Sequence, residues 1–162
     1  MRVLAACYIS AVALCASNAV ACPDAATQGS VLAALQKPVV GELADGFGMR
    51  LHPILLYERM HTGVDYAAAV GTPVYAAAAG EIVFAARDGA YGNRVVIAHG
   101  DRTETAYAHL HRINVKRGDC VAQGAMIGAV GSTGLTVGSQ LHFEVLRNGR
   151  FIDPSTALAA PR

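Results

Sequence analysis

From Pro38 to Leu158, short apolar runs alternate with Gly, Asp and Asn, and this punctuation constrains the chain more than any other feature. Helices need about ten uninterrupted residues, whereas strands need roughly four to eight. Gly80–Ala85, Arg94–His99, Thr103–His109, Ala125–Val130 and Leu141–Leu146 have strand length and β character. Turn residues at Asp88–Asn93, His99–Asp101, Lys116–Asp119 and Asn148-Gly149 separate or follow them. Val39–Leu43 and Pro73–Ala77 read as further strands, Phe47–Pro53 as a loop, and Arg150–Ile152 as a short return. Seventeen glycines with four Phe and no Trp suit a turn-rich β fold better than a helical bundle. The spacing predicts an all-β domain over residues 38–158, an antiparallel β-sandwich or open barrel.

Residues 1–21 read as a cleaved signal peptide. Arg2 gives a positive start, Val3–Ala16 is apolar, and small residues follow at Ala19 and Ala21. A short membrane anchor is the alternative, although the run is brief for a span. The mature chain is expected to be exported, to the periplasm or cell envelope, with no stable membrane insertion after signal cleavage. Residues 22–37 form a short N-terminal segment, within which 23–36 has helical potential. Cys22 and Cys120 remain after cleavage. They suit a disulfide, free thiols, or a lipid anchor at Cys22, where Ala stands in place of the usual lipoprotein Leu. Formal net charge is +1 and no basic stripe is present, so no nucleic-acid partner is expected.

His61-Thr62-Gly63-Val64-Asp65 is the first stretch with chemistry in it. Alone, a His and an Asp four apart occur in many proteins without a metal. The β-branched Thr62 and Val64 and the poor helix former Gly63 favour an extended segment, with His61, Gly63 and Asp65 on one side. Gly63 would then leave room between the two flanking groups. Far downstream, Gln140, His142 and Glu144 alternate along a predicted strand and share a face. Two imidazoles and a carboxylate make a three-ligand set with an open position, the usual form of a catalytic zinc site.

The order and spacing of several segments resemble the lysostaphin/LytM-type zinc endopeptidases. They are Phe47–Arg50 with His52-Pro53, His61–Asp65, Gly71–Val74, Tyr91–Asn93, Tyr107–Leu110, Gly128–Gly134 and Leu141–Glu144. The resemblance spans roughly residues 38–156. It implies a sandwich-like fold with an open groove, one zinc ion, and cleavage of peptide bonds in peptidoglycan. Carried over by position, it makes His61, Asp65 and His142 the zinc ligands and His109 the catalytic histidine. The family's last motif is usually His-x-His, and here Gln140 stands in place of its first His.

That departure matters chemically. A Gln amide can donate to an oxyanion but cannot carry a proton through a cycle. A pure donor role would survive in Gln140, whereas a lost proton shuttle would lower the rate by about 10²–10⁴-fold. His111 is a candidate to compensate, with an exposed loop position as the alternative. His99 reads as a turn residue, and Tyr107 either faces the groove or is a half-buried strand residue. His52 either lines the groove or orders its loop. Asp45 and Asp153 read as turn residues. Glu144 suits either a hydrogen bond that orients a metal ligand or an ion pair with Arg. The resemblance therefore points to a zinc endopeptidase; Gln140 keeps a non-catalytic wall-binding activator as the alternative.

Overall fold

A computed structural model describes Cys22 and residues 35–158. The expected signal peptide and most of the expected helix lie outside the described residues. The strands are β1 (Glu42–Asp45), β2 (Gly48–Leu51), β3 (Glu58–His61), β4 (Val64–Ala67), β5 (Pro73–Tyr75) and β6 (Gly80–Asp88). They continue with β7 (Gly92–Ala98), β8 (Thr103–Leu110), β9 (Arg112–Ile113), β10 (Cys120–Val121), β11 (Met126–Ala129), β12 (Gln140–Arg147) and β13 (Arg150–Ile152). A one-turn helix, α1 (Pro154–Ala157), follows, with the Asp153 side chain accepting from the Ser155 N–H at 2.8 Å.

The fold is mostly β and antiparallel, and it is open rather than closed. The large sheet runs β1-β4-β12-β8-β7-β6-β10, with β13 also paired to β12. A three-stranded sheet, β5-β11-β9, and the β2-β3 hairpin complete it. Alternation along each strand separates two faces. Val64, Tyr66, Leu141, Phe143, Val145 and Tyr107 are buried in one hydrophobic core with Val74, Leu110 and Ile127. Burying each large apolar side chain contributes about 1.5–3 kcal/mol. Asp65, Gln140, His142 and Glu144 take the alternate positions on the opposite face.

Four expectations change. Phe47–Pro53 is not all loop: Gly48–Leu51 pairs with β3, and only Phe47 and the turn at His52-Pro53 are irregular. Val39–Leu43 does not begin a ladder at Val39, which makes only an isolated bridge to Val74. Tyr107 is fully buried, not half-buried. Its hydroxyl accepts the Ala77 N–H at 2.8 Å, which satisfies it inside the core. His99 follows β7 at the turn, but its ring is fully buried. Cys22 and Cys120 form a disulfide, which tethers the N-terminal segment to the edge strand β10.

Candidate metal centre

Register brings the distant residues together. In the β4-β12 ladder His142 lies directly opposite Asp65, and cross-strand neighbours face each other at short range. On the other side of β12, His142 faces Ala108 and Glu144 faces Ala106, small residues that leave the face open. His61 ends β3, and Thr62-Gly63 carries the chain across to β4. The HTGVD stretch is therefore broken between two strands instead of continuous. A Cβ at Gly63 would meet the Phe143 carbonyl oxygen and the His142 ring. Glycine here admits β12; it does not hold open a space between the ligands.

His61 Nε2, His142 Nδ1 and Asp65 Oδ1 converge. Their separations are 3.1 Å between the two nitrogens and 3.3 and 2.7 Å from these to the carboxylate oxygen. All three residues are buried, and their ligand atoms lie within 4.8 Å of one another. The outer nitrogens are committed elsewhere. His61 Nδ1 donates to Gly46 O at 2.6 Å, and His142 Nε2 donates to Glu144 Oε1 at 3.1 Å. Each neutral ring then turns a lone pair inward. Three acceptors aimed at one point fit a cation. Tetrahedral zinc with bonds of about 2.0–2.1 Å would place its ligand atoms roughly 3.3 Å apart, close to what is seen.

The surroundings favour positive charge at that point. Burial opposes charging of His142, but hydrogen bonds to Asp65 and Glu144 outweigh it and raise its pKa to about 9. Burial would raise the pKa of Asp65, yet bonds with both imidazoles hold it well below the carboxylate range. Glu144 is fully buried and follows the same logic, with burial opposed chiefly by His142. Thr62 Oγ1 and Tyr91 OH donate to Glu144 Oε1 at 2.6 and 3.0 Å, and Arg94 lies 3.4 Å from Oε2. Glu144 thus both orients His142 and pairs with an Arg. Such carboxylate–histidine contacts set the tautomer and ring orientation of metal ligands.

His109 reaches the groove through a bulge. Asn93 faces Leu110 and Val95 faces Tyr107, so β8 carries one more residue than β7 between these pairs. His109 has φ 61°, in the left-handed region, at a cost of roughly 1–2 kcal/mol. Strict alternation would put His109 on the core side with Tyr107. The bulge instead sends Leu110 into the core and His109 into the groove. Asn93 Nδ2 donates to Leu110 O at 3.0 Å, and Thr133 Oγ1 to the same oxygen at 2.8 Å. His109 Nδ1 donates to Thr133 O at 2.8 Å, which leaves Nε2 as the basic nitrogen. Burial, partly offset by the Thr133 bond, lowers the pKa of His109.

A groove of about 610 Å³ contains these groups, with Arg50, His52, Tyr91, Leu135 and Val137 among its lining. Gln140 lines it too, on the same side of β12 as His142. His52 both lines the groove and orders its turn, accepting from the N–H groups of Ile54 and Leu55 at 3.3 and 3.2 Å. Asp45 is more than a turn residue, since its Oδ2 lies 3.0 Å from Arg50 Nε. His111 is exposed beyond β8 and outside the groove, so it cannot substitute for a missing histidine there. Arg50, Thr62, Arg94 and Thr133 carry contacts that residue patterns alone did not reveal. Arg50, Thr62 and Thr133 sit in segments that bear the family resemblance, which is the available signal.

Residues 59–154 match the model of Peptidase family M23. The DD-carboxypeptidase/endopeptidase Mpg of Neisseria meningitidis is 48% identical over 124 residues, covering 76% of this chain and 29% of that protein. The peptidoglycan DD-endopeptidase ShyA of Vibrio cholerae is 41% identical over 108 residues, 67% of this chain and 25% of that one. The chain therefore spans less than a third of these curated relatives. A zinc-containing peptidase from Vibrio cholerae superposes with a TM-score of 0.72 at 35% identity, covering 78% of this chain and 41% of that one. The catalytic domain of lysostaphin from Staphylococcus simulans gives 0.65 at 35% identity, covering 71% and 90%. No helix among the described residues is long and apolar enough to cross a membrane.

Proposed function

The chain belongs to Peptidase family M23, with the lysostaphin-type fold, and we propose that it is a zinc-dependent endopeptidase acting on the peptides of bacterial peptidoglycan. The observation that carries this is the convergence of His61 Nε2, Asp65 Oδ1 and His142 Nδ1, with the outer nitrogens of both imidazoles already engaged. Relatives that act on peptidoglycan support the substrate. The domain extends over residues 38–158, behind a signal peptide at 1–21 and a short segment at 22–37. The Cys22–Cys120 disulfide supports export to an oxidising compartment, such as the periplasm.

A zinc ion held by His61, Asp65 and His142 would supply Lewis-acid polarisation and a water of lowered pKa. The chain supplies the rest. His109, neutral at pH 7 because burial lowers its pKa, presents Nε2 to the groove. It accepts a proton as water adds to the scissile carbonyl and returns one to the leaving amine as the C–N bond breaks. The amide of Gln140 donates towards the developing oxyanion. Glu144 and Gly46 O hold the two imidazoles in the tautomers that face inward.

A second reading rests on Gln140: a wall-binding protein that activates a separate hydrolase. One experiment separates the two. Wild type, His61→Ala and Gln140→His are incubated with purified peptidoglycan, with and without chelator. Release of peptide fragments by wild type, stopped by chelator and absent in His61→Ala, is expected; Gln140→His should match or exceed wild type. No cleavage by zinc-loaded wild type, with cleavage gained only in Gln140→His, would establish the second reading.

A further inference from the structure

Four charged side chains line the groove: Asp45, Arg50, Arg59 and Asp65. Three of them are mutually engaged, because Arg50 lies 3.0 Å from Asp45 and 3.8 Å from Asp65. Arg59 has no ion pair among the described residues. It stands two positions before His61 on β3, so both side chains leave the same side of the strand, about 6.5 Å apart along it. Across the hairpin it faces Arg50. His52 registers this crowding: besides burial, first Arg50 and then Arg59 lower its pKa. Leu135, Thr136, Val137 and Phe151 elsewhere in the lining bring no charge. The formal charges of the four cancel, but Arg59 is the one of them with no ion-pair partner among the described residues, close to the metal ligands, and its planar fork matches a carboxylate.

We infer that Arg59 is a specificity-determining residue that binds a free carboxylate on the substrate, on the residue that supplies the leaving amine. The ligand class is a peptide cut one residue from its own free carboxylate, as at a C-terminal D-amino acid. This rests on the peptidase reading above. An Arg–carboxylate pair flanking the scissile bond fixes which residue enters the leaving side and orients its amine towards His109. A charge-assisted contact of this kind is worth about 10- to 100-fold in discrimination.

The test uses two synthetic wall stem peptides ending in D-Ala-D-Ala, identical except that one ends in a carboxylate and the other in a carboxamide. Zinc-loaded wild type should favour the acid over the amide by about 10-fold or more in kcat/KM. Arg59→Met should reduce that ratio to near unity, mainly through KM, and Arg59→Lys should restore part of it. An unchanged ratio in Arg59→Met, or equal turnover of both peptides by wild type, overturns the proposal. If wild type cleaves neither peptide nor whole peptidoglycan, the peptidase reading fails separately. Calorimetric binding of the two peptides to wild type and Arg59→Met then decides the role of Arg59 by the same ratio.

Discussion

His99 and His142 are both buried beside the large sheet, and their surroundings are completed in different ways. Around His99 every polar atom finds a partner within the chain. Nδ1 donates to Ala79 O at 2.8 Å, Nε2 lies 2.7 Å from Thr105 Oγ1, and that hydroxyl lies 2.8 Å from Tyr107 OH, which accepts the Ala77 N–H. Since hydroxyl protons rotate to suit, Tyr107 can donate to Thr105 and Thr105 to Nε2, so one neutral proton order satisfies the whole chain of bonds. Around His142 the outer nitrogens are likewise engaged, but the inner atoms of His61, Asp65 and His142 crowd one point, and with both rings neutral all three are acceptors. A buried histidine is structural when donors and acceptors balance, and a candidate metal ligand when acceptors are left in excess around one point.

Variants can break or sharpen this contrast. The largest effect is expected for His61→Ala or His142→Ala, which should reduce bound zinc from one per chain to none and activity to background, read by metal analysis and peptide release. His109→Ala should retain zinc yet lose about 10²–10⁴-fold in kcat, because only the proton-carrying group is removed. Glu144→Gln should weaken zinc binding about 10- to 100-fold in a chelator competition, since the partner of His142 Nε2 loses its charge. His99→Ala should leave zinc content unchanged and cost about 1–3 kcal/mol in denaturant unfolding.

The sign of the pH response separates the clusters further. Burial lowers the folded pKa of His99 below its usual 6.5. Its contribution is therefore present above about pH 6.5 and lost as pH falls through the folded value. The wild-type melting temperature should drop on acidification, and His99→Ala should flatten part of that drop. An unaltered slope would show that His99 is not held neutral by its network.

Much of this architecture was readable from local pattern. Period-two alternation and turn residues marked the long strands, and the alternation of Gln140, His142 and Glu144 put them on one face as the structure has it. What escaped depended on contacts between distant strands. Gly48–Leu51 reads as a loop because it opens on Gly48 and runs into the His52-Pro53 turn, and its pairing comes from β3. His99 carried only its turn signal, since its acceptor and hydroxyl partner belong to residues 79 and 105. Alternation alone would have turned His109 into the core; the bulge opposite Asn93–Val95 reverses it. The family motif supplied that residue where periodicity could not.

The central claim is that His61, Asp65 and His142 together hold one zinc ion. X-ray absorption spectroscopy at the zinc edge on the purified mature protein, compared with His142→Ala, tests it most directly. The account predicts one tightly bound zinc with two imidazole nitrogens and carboxylate oxygen at about 2.0–2.2 Å, and loss of that spectrum in the variant. Zinc coordinated by sulfur, or a spectrum unchanged by His142→Ala, would contradict it.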